Sequence, residues 1–302
     1  MGKFQCLRAM LAAGVCSAGI SLSGFSATPA AAFETTAEAA AKARHRINIA
    51  GRQRMLTQRM TKAVCMALTS GDAARWSEEA YIAAITFEDT LGELLNGSKD
   101  GKVKRAEAQS ERAALEKVFE VSEGFTASVR QIASRDLNSA AMTLILERNL
   151  PTLTRMNSAV GQMERLLGGS DVSAAKASTI NQAGRQRMLS QRIAKDLCFV
   201  RAGFNEDEAR AALGESVALF SVTLNGLRVG DESRGLLAPP TPVIATRLSQ
   251  VQERWDRILP VAKEAIAGAQ ISAQTLADTV AEADALLVDM NDAVRLWAEQ
   301  SG

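Results

Sequence analysis

Residues 47–62 read INIAGRQRMLTQRMTK, and residues 180–195 read INQAGRQRMLSQRIAK. Twelve of the sixteen positions are identical, at an offset of 133. The same offset pairs Cys65 with Cys198, Phe87 with Phe220, Leu91 with Leu224 and Gly97 with Gly230. Near the end of each copy, Met156-Asn157-Ser158-Ala159-Val160 answers Met290-Asn291-Asp292-Ala293-Val294 at an offset of 134. One residue of drift over a whole copy means nearly equal loop lengths. The chain is a duplication.

Each copy divides into four helical stretches. In the first they span residues 37–69, 72–95, 102–133 and 136–167; in the second, 172–202, 205–229, 242–267 and 272–299. Ser70-Gly71-Asp72 and Asn96-Gly97-Ser98 supply turn and cap residues between them. Residues 230–240 make the longest connector. Four helices joined by short links predict an up-down bundle. The expectation is an all-α fold of two tandem four-helix bundles related by a pseudo-twofold axis. Composition agrees: aromatic residues are only 4% and prolines number six, which suits helix rather than strand. The two modules are expected at residues 33–168 and 169–302, with Gly168-Gly169-Ser170 as the seam.

Residues 1–32 read as a leader. Lys3 and Arg8 precede a modestly apolar run, and Ala30-Ala31-Ala32 offers a small-residue cleavage site. The expected product is an exported, periplasmic protein, with retention of the leader as an anchor left open. Lysine plus arginine number 35 against 34 acids, so no global field draws in nucleic acid. Any electrostatic function is local.

A helical wheel separates two faces of the repeated helix. Ile49, Leu56, Met60, Ala63 and Ala67 face their own bundle, while Ile47, Gly51, Arg54, Gln58, Thr61 and Cys65 lie opposite. The second copy reproduces that stripe as Ile180, Gly184, Arg187, Gln191, Ala194 and Cys198. Mid-helix glycine costs about 0.5–1 kcal/mol against alanine, so its presence in both copies points to close backbone approach. Cysteine and isoleucine on the stripe favour burial, and a guanidinium offers five donors in a fixed plane. Should the first helices lie side by side and parallel, Arg54 meets Arg187 and an anion fits between them. The competing reading is a solvated arginine-rich face. Arg52 and Arg59 flank the core and read as solvated or salt-bridged, Gln53 and Gln186 as structural, and Asn48 equally as a packing residue or a ligand.

The IN-x-AGRQRML-[ST]-QR-x-x-K helix resembles the opening helix of the N-terminal domain of type IV pilus chemotaxis transducers, the PilJ-type module. That module is similar to the periplasmic sensor domain of the nitrate/nitrite sensor kinase NarX. The resemblance implies one small oxyanion, nitrate or nitrite, held between paired first helices. Its contacts would be Gly51 and Arg54 in one copy and Gly184 and Arg187 in the other, with Gln58 and Gln191 on the same stripe. Arg52 and Arg185 stand where the nitrate sensors carry a small residue, so the pocket is shaped differently here. Cys6 and Cys16 fall in the leader; Cys65 and Cys198 occupy equivalent stripe positions, compatible with a disulfide or with two buried thiols. The lone histidine, His45, and the absence of H-E-x-x-H or C-x-x-C-H motifs speak against catalysis, metal sites and cofactors. The expected function is a non-catalytic sensory or binding protein with a membrane receptor or signalling partner. The alternative is a ligand-free helical module docking on a receptor, pilus or envelope component.

Overall fold

The computed structural model describes residues 28–167 and 174–299. The first module comprises α1 (Thr28–Thr69), α2 (Ala73–Asn96), α3 (Gln109–Ala133) and α4 (Ser139–Leu167). The second comprises α5 (Ala174–Ala202), α6 (Glu206–Val229), α7 (Pro242–Ile266) and α8 (Ala273–Glu299), with one 3₁₀ turn over Glu232–Arg234. The described residues contain no strand, only an isolated bridge between Asp231 and Leu236. The fold is all-α, two tandem helical bundles. The expected leader lies outside the described residues up to residue 27, residues 28–32 are helical, and the seam at 168–170 also lies outside them.

Local chemistry sets the helix ends. Asp72 caps α2 by accepting from the Arg75 amide, and Thr241 caps α7 by accepting from Ile244, with Pro242 following it. Gly97 and Gly230, at equivalent positions, close α2 and α6 with φ of 91° and 85°, a conformation glycine adopts without strain. One expectation needs correcting. The third helix of the first module starts at Gln109, not near 102, so residues 97–108 match their counterparts 230–241 and neither connector is the longer. Turn chemistry overrides helix propensity there: Asp100 Oδ1 accepts from Ser98 Oγ and the Lys102 amide, and Gly101 takes φ +72°. Val103 and Ala106 from that loop are buried against the bundle.

Each module has its own core. Phe87, Leu91, Leu115, Phe125 and Met156 fill the first; Phe220, Leu224, Leu248, Trp255 and Met290 fill the second. Phe220 packs on Trp255 with ring centroids 4.3 Å apart. The modules join through their first helices. Along α1 and α5, equivalent residues meet in register, with Cys65 and Cys198 at a Cα–Cα distance of 6.3 Å. The two helices therefore run parallel, each sandwiched between its own bundle and the other's leading helix.

Candidate functional site

The parallel contact between α1 and α5 places Arg54 and Arg187 in the interior. They are 1% and 2% exposed, among the largest buried side chains in the protein. Both guanidinium groups converge on the two glycines. A Cβ built on Gly51 would lie 3.1 Å from Arg187 Nη2 and 3.3 Å from Arg54 Nη2. One built on Gly184 would lie 3.3 Å from each of the same two atoms. The bare backbone gives the two arginine heads room to face each other, which an added methyl would narrow.

The pseudo-twofold is visible in the hydrogen bonds. Arg54 Nη2 donates to the Asn181 carbonyl at 3.4 Å, and Arg187 Nη2 donates to the Asn48 carbonyl at 3.3 Å. Asn48 and Asn181 are themselves equivalent. Arg187 Nη1 also donates to Asn48 Oδ1 at 2.9 Å and to Asn291 Oδ1 at 3.3 Å. Arg54 Nε and Arg187 Nε are buried with no partner. Among the described residues, neither arginine forms an ion pair. Burial, then the neighbouring Arg185, pushes Arg54 down to about 9 despite the opposing pull of Glu164. Burial, then Arg54 and Arg52, pushes Arg187 down to about 9. Both remain cationic near neutral pH. Two like charges held together in one buried site repel each other. The fold holds this repulsion in place.

Gln58 and Gln191 lie one turn further on, and the structure engages them elsewhere. Gln58 Nε2 donates to Thr57 Oγ1 and Asn149 Oδ1, and Gln191 Nε2 donates to Asp284 Oδ1. Their Oε1 atoms are buried without a partner. Beneath them Lys62, wholly buried, pairs with Asp284 at 2.7 Å and Glu79 at 2.9 Å. Its counterpart Lys195 pairs with Asp196 at 2.9 Å. The Cys65–Cys198 disulfide, with an S–S distance of 2.01 Å, closes the bottom of the stripe. Arg52 is exposed, Arg59 pairs with Glu79, His45 is at the surface, and Gln53 and Gln186 are buried.

Four contributors were not singled out as site residues from sequence: Asn181, Asn291, Glu164 and Arg185. The repeated Met-Asn pair at 156–157 and 290–291 carried a signal for Asn291; Glu164 carried none. The position of Asn48, left open by the wheel, is now fixed beside Arg187.

Fold and geometry together define a helical module in which a duplicated arginine helix is paired with itself. The model of the family "Type IV pili methyl-accepting chemotaxis transducer N-term" (PilJ) matches residues 35–145 and again residues 170–280. The chain belongs to this family and carries two tandem copies of its domain, a sensory, non-catalytic one. It is also similar to the methyl-accepting chemotaxis protein McpN of Pseudomonas aeruginosa, at 34% identity over 79 residues. That match covers 26% of this chain and 14% of the relative.

Proposed function

We propose that this protein is an exported sensory or binding protein that holds one small oxyanion, nitrate or nitrite, between Arg54 and Arg187. The carrying observation is the pair of buried, mutually repelling guanidinium groups that face each other across Gly51 and Gly184, with no carboxylate ion pair to either among the described residues. An anion between them replaces repulsion by two attractions. The unpartnered Nε donors and the flat guanidinium planes suit a planar oxyanion that accepts several hydrogen bonds in one plane. Gly51, Gly184, Asn48 and Asn181 form the walls, and Gln58 and Gln191 lie one turn further on. The buried disulfide fits an oxidising, extracytoplasmic compartment. No helix of the described residues is long and apolar enough to cross a membrane. The family's place in chemotaxis transducers supports a membrane receptor or signalling partner that reads the bound state.

Binding to the folded state alone stabilises it by about 2.7 kcal/mol at a hundredfold excess over Kd. Nitrate or nitrite at millimolar concentration is therefore expected to raise Tm by about 5 °C, and chloride by much less. Arg54→Met or Arg187→Met should abolish the shift. The test is a thermal-melt screen of oxyanions against wild type and both variants. The proposal fails if no small oxyanion raises the wild-type Tm.

A further inference from the structure

The pseudo-twofold breaks at one point beside the arginines. On the second module's side, Asn48 and Asn291 both turn their side-chain oxygens to Arg187. On the first module's side neither counterpart does the same. Asn157 Oδ1 is buried without a partner, and Asn181 turns its Nδ2 to Glu164 Oε2 at 2.6 Å, leaving its own Oδ1 unpartnered. Glu164 lies near the end of α4, and its counterpart on α8 is Ala298. A carboxylate thus stands on one side of the site only.

We infer that Glu164 sets the pH dependence of the site: it is an internal anion that competes for the Arg54 side, so that a bound oxyanion enters together with a proton on Glu164. This rests on the reading of the arginine pair as an oxyanion site. Among the described residues, the charged groups that act on Glu164 are arginines: Arg54 from α1, Arg185 from α5, and Arg165 on its own helix. Burial, the largest influence, nevertheless holds its carboxyl above the usual range, outweighing the Asn181 hydrogen bond and those three cations. An arriving anion neutralises the arginines' pull and adds repulsion, so it raises the affinity of Glu164 for a proton further. Between the empty site's titration range and the higher one of the anion-bound site, Glu164 is ionised before binding and protonated after it. By linkage, oxyanion affinity then rises as pH falls from the anion-bound site's titration range to the lower one of the empty site, at up to tenfold per pH unit for one proton, and levels off below it.

Glu164→Gln keeps an acceptor for Asn181 Nδ2 while removing the charge. Calorimetric titration of the full chain with sodium nitrate between pH 5.5 and 8 tests the inference, in a window below the titration of either guanidinium. Wild type should bind more tightly at pH 5.5 than at pH 8, with proton uptake seen as a dependence of heat on buffer ionisation. Glu164→Gln should bind at least about fivefold more tightly than wild type at pH 8, with a flat pH profile and no proton uptake. Binding by Glu164→Gln with wild type silent at pH 8 also supports the inference. Should wild type bind in an Arg187-dependent way while Glu164→Gln shows the same affinity and pH slope, Glu164 has no such role although the oxyanion site stands. If neither protein binds at any pH while Arg187→Met unfolds at the wild-type temperature, both readings fall.

Discussion

Gly51 and Gly184 sit inside regular helices with no turn to make, as Gly92, Gly124 and Gly214 do, but they alone of these have guanidinium groups where a Cβ would go. Alanine there would improve helix propensity by about 0.5–1 kcal/mol. It would also set a methyl group 3.1–3.3 Å from guanidinium nitrogens, tighter than an unforced contact. Arginine heads are the movable partners, so they, and not the backbone, give way. Gly51→Ala is accordingly expected to leave circular dichroism and the anion-free Tm near wild type while weakening nitrate binding by at least about tenfold, measured by titration calorimetry. At this scale much of the site was legible. Gly51, Arg54, Gly184 and Arg187 fall on one stripe of a wheel, and their repetition selects them. Asn48 and Asn181 gain their role only from the opposite module. Glu164 arrives from the far end of a different helix, a proximity that periodicity cannot express.

The leading helices are held in register by a layer of buried charge as well as by apolar packing. Lys62 on α1 reaches across the module boundary to Asp284 on α8, and Asp284 also accepts from Gln191 on α5. Glu79 on α2 completes the cluster. Lys195, in the equivalent place, is paired with its own neighbour Asp196, whose carboxyl burial holds above the usual range. The two layers share a position and differ in partner, as copies do after divergence. Breaking a buried ion pair from one side costs about 3–5 kcal/mol, less where the orphaned acid still reaches water, as Asp284 does. Lys62→Ala should lower stability by about 2–4 kcal/mol in urea unfolding. Asp284→Asn should lower it by less, because Glu79 remains on Lys62 and the Asn oxygen still accepts from Gln191. On the wheel Lys62 is simply a conserved letter between the two copies; its burial follows from a third helix folding over it.

Within one chain the duplication supplies both halves of the arginine pair, so no second molecule is needed to complete it. The Cys65–Cys198 bond joins residues 133 apart, and a loop of that order gives a chain-entropy stabilisation of about 4–5 kcal/mol as a model-dependent upper value. The modules also touch along the whole repeated helix, so the bond reinforces an interface that packing already forms. Cys65→Ser with Cys198→Ser is expected to lower Tm by several degrees and to leave nitrate stoichiometry at one per chain, by calorimetry at two protein concentrations. Loss of binding in that variant would mean that the covalent link, not packing, aligns the arginines.

Two copies of a four-helix module, and a shared stripe of glycine, arginine and cysteine facing away from each core, were determined by the chain's own letters. Period, turn residues and internal repetition are local or self-referential properties, and a linear string displays them in full. The pairing of α1 with α5, the burial of both guanidinium groups and the one-sided carboxylate at Glu164 were decided only when the modules docked. Those features depend on distances between segments far apart in the chain and on water excluded from between them, and neither quantity is written in the order of residues.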